Sequence, residues 1–113
     1  MKIGHVLNDF TMPGGESMIA RAIADKLGAA RFERGSGEWA RLRGLHRIAP
    51  VIRSFHNAPV LREFQAWAAR EQPDVILFHN IFPVLSPSIV QEAKRLGIRV
   101  VLYLHSYRYL CTN

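Results

Sequence analysis

The fold is decided by KIGHVLNDFTMPGGESMIARAIADKLG, residues 2–28 of the 113-residue chain. Its first part, 2–7, is a short apolar run ended by polar residues, which is typical of a strand buried on both faces of a parallel sheet. A glycine-containing loop follows, and the next apolar residues recur at three- and four-residue steps, which predicts a helix over 15–27 that ends at Gly28. The residues expected to form the buried stripe of this helix are Met18, Ile19, Ala22, Ile23 and Leu27.

The remainder of the chain continues the alternation of strands and helices. Further strands are predicted at 31–34, 75–78 and 98–104, and further helices at 38–55, 57–71 and 88–96. Pro50 predicts a break in the first of these helices near Ala49, because proline cannot supply an interior helical hydrogen bond. The alternation favours an α/β fold, a Rossmann-like parallel sheet with helices on both faces.

Composition restricts the class of protein. With 49% hydrophobic and 21% charged residues, the chain is neither disordered nor collagen-like. The lone Cys111 cannot form an internal disulfide, which favours a reduced, cytoplasmic setting. The five histidines and one cysteine show no pair at zinc-ligand spacing, so no metal is expected. No apolar run approaches the ~20 residues of a membrane-spanning helix.

Polar residues follow three of the predicted strands, at 8–16, 79–86 and 105–113. Ligands of parallel sheets bind beyond the carboxyl ends of the strands, so these segments are expected to meet at one edge. Gly14 and Gly15 would let a phosphate approach the start of the first helix, although the G-x-G-x-x-G fingerprint and the P-loop lysine are absent.

Histidines at two of these strand ends could bind a hydroxyl or a phosphate, namely His79 and His105. His5, inside the first strand, is expected to be a hydrogen-bonded core residue, whereas His46 and His56 are expected to be solvated. The stretch 31–62 is rich in arginine, which suits either a solvated helix face or an anionic membrane surface. Nucleic acid is not expected, because aromatic and basic residues do not interleave as single-strand binding requires.

Three segments together resemble a known enzyme family: NDFTMPGGES, VILFHNIFPVLSPSIV and VVLYLHSYRYLCTN. The chain resembles the amino-terminal domain of the retaining, two-domain GT-B glycosyltransferases of family four, often called group 1. The resemblance covers most of the chain and is strongest in 1–28 and 73–113. It implies a hexosyltransferase that uses a nucleotide-sugar donor and a hydroxyl acceptor, a lipid-linked one included, with no cofactor and no metal.

The resemblance also assigns residue roles. It places the backbone N–H groups of Gly14 and Gly15 against the donor diphosphate, and His105 against the transferred sugar or its phosphate as the catalytic residue. The residues that it places on the acceptor side of the cleft are Glu16, His79, Asn80, Tyr107 and Arg108. It further implies a cytoplasmic location, peripheral to the inner face of the membrane for a lipid-linked acceptor.

Two departures from the family pattern bear on these expectations. The second strand begins with 27–32 instead of the family's Gly-His-Glu-Val-like sequence, and the chain stops at Asn113. We therefore expect 1–113 to be a truncated, acceptor-side domain that lacks the carboxyl-terminal donor domain and is inactive alone. Two alternatives remain open at this point: a nucleotide-binding α/β module of another enzyme class, and a basic membrane-docking domain without catalysis.

Overall fold

A computed structural model of the chain describes residues 1–9, 14–37, 52, 54–81 and 84–104. The helix predicted at 38–55 falls largely outside the described residues. The individual residues discussed above that also lie outside them are His46, Ala49, Pro50, His105, Tyr107, Arg108, Cys111 and Asn113.

Four strands and three helices alternate along the described chain. They are β1 (Ile3–Asp9), α1 (Gly15–Leu27), β2 (Ala30–Gly35), α2 (Ala58–Glu71), β3 (Val75–Phe78), α3 (Ser88–Arg95) and β4 (Arg99–Leu102). The strands form one sheet in the order β2-β1-β3-β4, and every pair is parallel. The prediction of an α/β fold with a parallel sheet is confirmed, and the strand predicted at 31–34 is present as β2.

One face of the sheet carries the hydrophobic core. It packs against α2 and α3, whose apolar side chains meet those of the strands. Phe32 from β2 contacts Phe64 and Trp67 of α2, each with ring centroids 5.6 Å apart. Phe78 of β3 lies beside Phe64 at 6.3 Å. This aromatic cluster fixes α2 across the strands that end at the candidate site.

The opposite face is covered by α1, and there the predicted buried stripe is wrong. The residues of α1 that are buried are Ser17, Ala20 and Ala24, whereas Met18 is 70% and Ile19 52% exposed. Small side chains of α1 therefore face the sheet, and the larger apolar side chains Met18 and Ile19 face solvent. The helix bounds themselves agree with the prediction, and Gly28 ends α1 in the left-handed conformation.

None of the described helices has the length and apolar character needed to cross a bilayer.

Gly4 in β1 provides a test of how tightly α2 packs on the sheet. A Cβ at this position would lie 2.8 Å from the Trp67 ring and 3.0 Å from Ile76. We expect Gly4→Ala to lower the free energy of unfolding by about 1–3 kcal/mol, measured by urea denaturation, because the rigid indole cannot move aside without disturbing the aromatic cluster. Gly35→Ala is the matched control in β2, since a Cβ there meets only a backbone atom at 4.0 Å. Equal stability of the two variants would contradict this packing.

Candidate functional site

The carboxyl ends of β1 and β3 are joined beyond the last paired residues of the two strands. The amide of His79 donates to the carbonyl of Val6 at 3.0 Å, and the amide of Asn8 donates to the carbonyl of Asn80 at 2.7 Å. His79 and Asn80 therefore lie at the same edge of the sheet as the end of β1.

The end of β4 lies at this edge as well. The amide of Tyr103 donates to the carbonyl of Phe78 at 2.8 Å, which continues the β3–β4 pairing past Leu102. The chain thus leaves β4 at the carboxyl edge, two residues before His105.

The start of α1 is held at the end of β1 by a side-chain hydrogen bond. Ser17 Oγ donates to Asp9 Oδ1 at 2.6 Å, and Gly14 is the N-cap residue of the helix. No side chain of the described residues caps this helix start. The amides of Ser17 and Met18 donate to the carbonyl of Gly14, at 3.1 and 3.3 Å, whereas those of Gly15 and Glu16 have no carbonyl partner within the helix. The start of α1 lies at the same edge of the sheet as Asn80.

Gly14 and Gly15 are exposed, and neither conformation nor packing within the described chain requires a glycine there. Gly14 has an extended backbone with φ −101°. A Cβ at Gly14 or Gly15 would meet no described atom within 4 Å. Among the described residues, nothing therefore occupies the space that a side chain at Gly14 or Gly15 would fill.

Asp9 is the centre of an ionic cluster that sequence reasoning missed. Its Oδ1 accepts from Ser17, and its Oδ2 accepts from Arg21 Nη2 at 2.6 Å. Arg21 also donates to Glu33 Oε2 from Nε at 3.2 Å and from Nη2 at 3.1 Å. These bonds, first to Glu33 and then to Asp9, raise the pKa of Arg21 above its usual value. Both carboxylate oxygens of Asp9 are engaged, so this residue holds α1 on β1 and, through Arg21 and Glu33, on β2.

A row of three rings crosses the α1 face of the sheet. The imidazole of His5 lies 4.6 Å from that of His79, and the ring of Tyr103 lies 5.3 Å from His79 on the other side. His5 and His79 are 1% and 2% exposed. The side chain of His79 is thus buried between His5 and Tyr103. The next residue, Asn80, is half-exposed at the carboxyl edge.

The loop between β3 and α3 is anchored by two buried asparagines. Asn8 Oδ1 accepts from the amide of Val84 at 3.2 Å, and Asn57 Nδ2 donates to the carbonyl of Val84 at 2.9 Å. Ser86 in the same loop has φ +61°. Its hydroxyl oxygen accepts from the backbone N–H of Asn57 at 3.4 Å. These contacts bring the start of α2 to the carboxyl edge and fix the position of the loop before α3 there.

The structure therefore brings together those predicted site residues that it describes. Gly14 and Gly15 are exposed at the edge, and Glu16 is half-buried in the first turn of α1. Asn80 lies at the same edge, where its carbonyl accepts from the amide of Asn8. The anchoring asparagines were not anticipated, because a polar residue at a strand end or a helix start is equally compatible with solvent contact.

A concavity lies at the opposite, amino edge of the sheet. This groove of about 590 Å³ runs between the ends of α2 and α3 and includes Gln65, Glu92 and Arg95. Arg95 donates to Glu92 at 2.6 Å and 2.9 Å, and Gln65 donates to it at 3.0 Å, which lowers the pKa of Glu92 to about 2. The charges of this groove neutralise each other, so it offers no unpaired ion to a ligand.

No protein-family description, curated protein or solved structure matches this chain. Within the described ranges, no three side chains of the metal-binding types cluster closely enough to hold an ion. The functional argument accordingly starts from the geometry of the carboxyl edge.

His5 is buried as expected, but it is not hydrogen-bonded as expected. Neither ring nitrogen has a hydrogen-bond partner among the described residues, and Nδ1 lies 3.8 Å from Glu33 Oε1. Burial lowers the pKa of His5 to about 4, and the positive charges of Arg31 and Arg21 act in the same direction. The Ala20 carbonyl and Asp25 oppose this effect only in part.

This lowered pKa predicts a loss of stability in mild acid. Between pH 6.5 and about 4 the unfolded chain takes up a proton at His5 that the folded chain does not, so unfolding is favoured as the pH falls. The full effect is about 3 kcal/mol. We expect His5→Gln to flatten the pH dependence of the free energy of unfolding in this window, measured by urea titrations at several pH values. The control is His56→Gln at an exposed position, and a parallel loss in wild type and His5→Gln would contradict the assignment to His5.

Proposed function

We propose that this chain is the acceptor-side, amino-terminal part of a retaining glycosyltransferase that uses a nucleotide-sugar donor and a hydroxyl acceptor. The observation that carries the proposal is the meeting of the Gly14-Gly15 turn with His79-Asn80 at one carboxyl edge. These are two of the three segments on which the resemblance to family-four glycosyltransferases rests. The third segment includes most of β4 and continues from the end of that strand at the same edge.

The chemistry of the edge suits the departure of a diphosphate. A glycosyl transfer with retention passes through an oxocarbenium-like state, and the leaving diphosphate gains negative charge as the bond breaks. Unpaired N–H groups at the start of α1, with the positive end of the helix dipole, would stabilise that charge. Their approach to a phosphate is unobstructed, because Gly14 and Gly15 carry no side chain.

Glu16 and Asn80 are proposed to contact the acceptor. A carboxylate in the first turn of α1 would repel a diphosphate, so Glu16 is better suited to accept a hydrogen bond from an acceptor hydroxyl. Asn80 can both donate and accept. In this proposal His105 contacts the transferred sugar or its phosphate, and Tyr107 and Arg108 line the acceptor side, as the resemblance implies.

His79 has a different role in this proposal from that of a direct acceptor ligand. Its ring is buried between His5 and Tyr103, while its backbone extends the pairing of β1 and β3. We therefore assign to His79 the positioning of Asn80 and of the chain that follows β4. The proposed location is the cytoplasm, with the acceptor reached at the inner face of the membrane.

A nucleotide titration followed by amide NMR tests this proposal on the chain itself. Uridine and guanosine diphosphates are expected to shift the amide resonances of Gly14, Gly15 and Glu16, and Gly15→Val is expected to weaken binding at least about tenfold. The extra side chain enters open space, so the free energy of unfolding should change little. Ala22→Val, on an exposed face of the same helix, is the matched control.

The same titration with a nicotinamide dinucleotide distinguishes the proposed glycosyltransferase from the main alternative, a nucleotide-binding α/β module of another enzyme class. Tighter binding of the dinucleotide than of any nucleoside diphosphate would assign the chain to a different class of nucleotide-binding module. If nucleoside diphosphates shift other resonances but leave the amide resonances of Gly14, Gly15 and Glu16 unchanged, the proposed phosphate position is contradicted.

A further inference from the structure

The strand β4 lies at one side of the sheet and is apolar along its whole exposed length. The sheet order β2-β1-β3-β4 gives β4 a neighbouring strand on one side only, among the described residues. Four consecutive apolar residues are exposed there: Val101 by 45%, Leu102 by 54%, Tyr103 by 41% and Leu104 by 47%. Natural proteins protect such a strand with charges or proline, and the sequence 100–104 contains neither.

The strand at the other side of the same sheet is protected. β2 carries Arg31, Glu33 and Arg34, and each of them forms an ion pair with a residue of α1 or α2. Charged side chains therefore lie on both faces of β2, whereas both faces of β4 are apolar. Of the two outer strands, β4 is the one whose sequence is suited to a further strand beside it.

The open side of β4 presents backbone groups at a regular spacing. The amides of Arg99 and Tyr103 donate to carbonyls on the β3 side, at 3.2 Å and 2.8 Å. Successive residues of a strand direct their N–H and C=O groups to opposite sides, so those of Val100, Leu102 and Leu104 point away from β3. A further strand would have to bond to these three residues.

The side chains of β4 alternate between the two faces of the sheet. Val100 packs against the core under α2 and α3, and Leu102 and Leu104 follow on the same face by the two-residue period of a strand. Tyr103 belongs to the row of rings on the α1 face, and Val101 lies on that face as well. A strand that fits beside β4 is therefore apolar on both of its own faces.

A second copy of β4 meets both requirements when it runs antiparallel, with Leu102 opposite Leu102. In this register Val100 lies opposite Leu104, so the outward backbone groups of all three residues are paired. On the other face Val101 lies opposite Tyr103, and pairs of a β-branched and an aromatic residue stabilise antiparallel strands. The strand is thus complementary to itself, as an interface with two-fold symmetry requires.

The charge of β4 is compatible with the same register. Arg99 is the only charged residue of 98–104. A two-fold axis at Leu102 separates the two copies of Arg99 by about 20 Å at the rise of a strand, which exceeds the screening length of about 8 Å at physiological salt. An acidic strand would find only this one cation. Among the described strands, β4 itself is the one that is apolar on both faces and has an open side.

We propose that β4 is a self-association site, along which two copies of the chain pair antiparallel, with Leu102 at the two-fold axis, to form one continuous sheet. The charges on β2 prevent the sheet from growing further, so association ends at the dimer. The proposal does not depend on the proposed glycosyl transfer. Because the strands of the two copies run in opposite directions, their carboxyl edges lie on opposite sides of the combined sheet.

Sedimentation velocity of the 113-residue chain, from about 1 to 500 µM, tests the self-association. A contact along one strand is at the small end of protein interfaces, so we expect a dissociation constant of the order of 10–100 µM. Leu102→Lys places two like charges opposite each other and should weaken the dimer at least about tenfold. Met18→Lys adds the same charge at an exposed apolar residue of α1 and is expected to dimerise like wild type.

Disulfide formation between chains tests the register. In a Cys111→Ser background, Val101→Cys and Tyr103→Cys chains are expected to form a linked dimer when they are mixed, because directly opposed residues lie within reach of a disulfide. Either variant alone should form at least about tenfold less, since its two cysteines are then displaced by two residues along the strands. Circular dichroism of each variant establishes that it is folded.

Three outcomes would overturn the proposal. The first is a chain that is monomeric at every concentration, which would leave the open side of β4 to a strand of a different polypeptide. The second is a dimer that Leu102→Lys leaves intact, or that Met18→Lys weakens equally, because the contact would then lie elsewhere or reflect net charge alone. The third is a disulfide that Val101→Cys or Tyr103→Cys forms as readily alone as in the mixture, which would contradict Leu102 at the axis.

Discussion

The central position of β1 is the constraint on which the rest of the structure depends. This strand pairs with β2 on one side and with β3 on the other, and its hydrogen bonds continue past the last paired residue to His79 and Asn80. Each neighbouring loop is therefore placed relative to one strand end. A shift of a single residue along β1 would turn His5 and Asp9 into the aromatic core and Val6 toward α1, so the register and the site geometry are fixed together.

The two faces of the sheet are stabilised by different kinds of interaction. The face under α2 and α3 is held by aromatic packing, whereas the face under α1 is held by small side chains and by the cluster of Asp9, Arg21 and Glu33. Ion pairs with partly exposed partners contribute little stability, but their geometry is specific. The cluster thus serves mainly to set the position of the α1 start, which is where the site needs precision.

The sequence predicts the secondary structure well, because strands, turns and helix ends have local signals. The helix at 15–27 and the strand at 75–78 agree with the observed bounds, and α2 (Ala58–Glu71) begins within one residue of the predicted 57–71. The buried face of α1 could not be predicted from the spacing of its apolar residues. The face that packs on the sheet includes Ser17, whose hydroxyl is hydrogen-bonded to Asp9 of β1. The long-range contacts of Asn8 and Asn57 were equally inaccessible, because each joins segments far apart in the chain.

Asn57 has a consequence for how motion is distributed in the molecule. It caps the start of α2 through Oδ1 and, from the same side chain, binds the carbonyl of Val84 in a loop 27 residues later. Local opening of that loop must therefore release the first turn of α2, and fraying of the helix must loosen the loop, so the two behave as one cooperative unit. Hydrogen exchange at the amide of Val60, which the Asn57 side chain caps, would accordingly report the opening of that loop, although Val60 is not part of it.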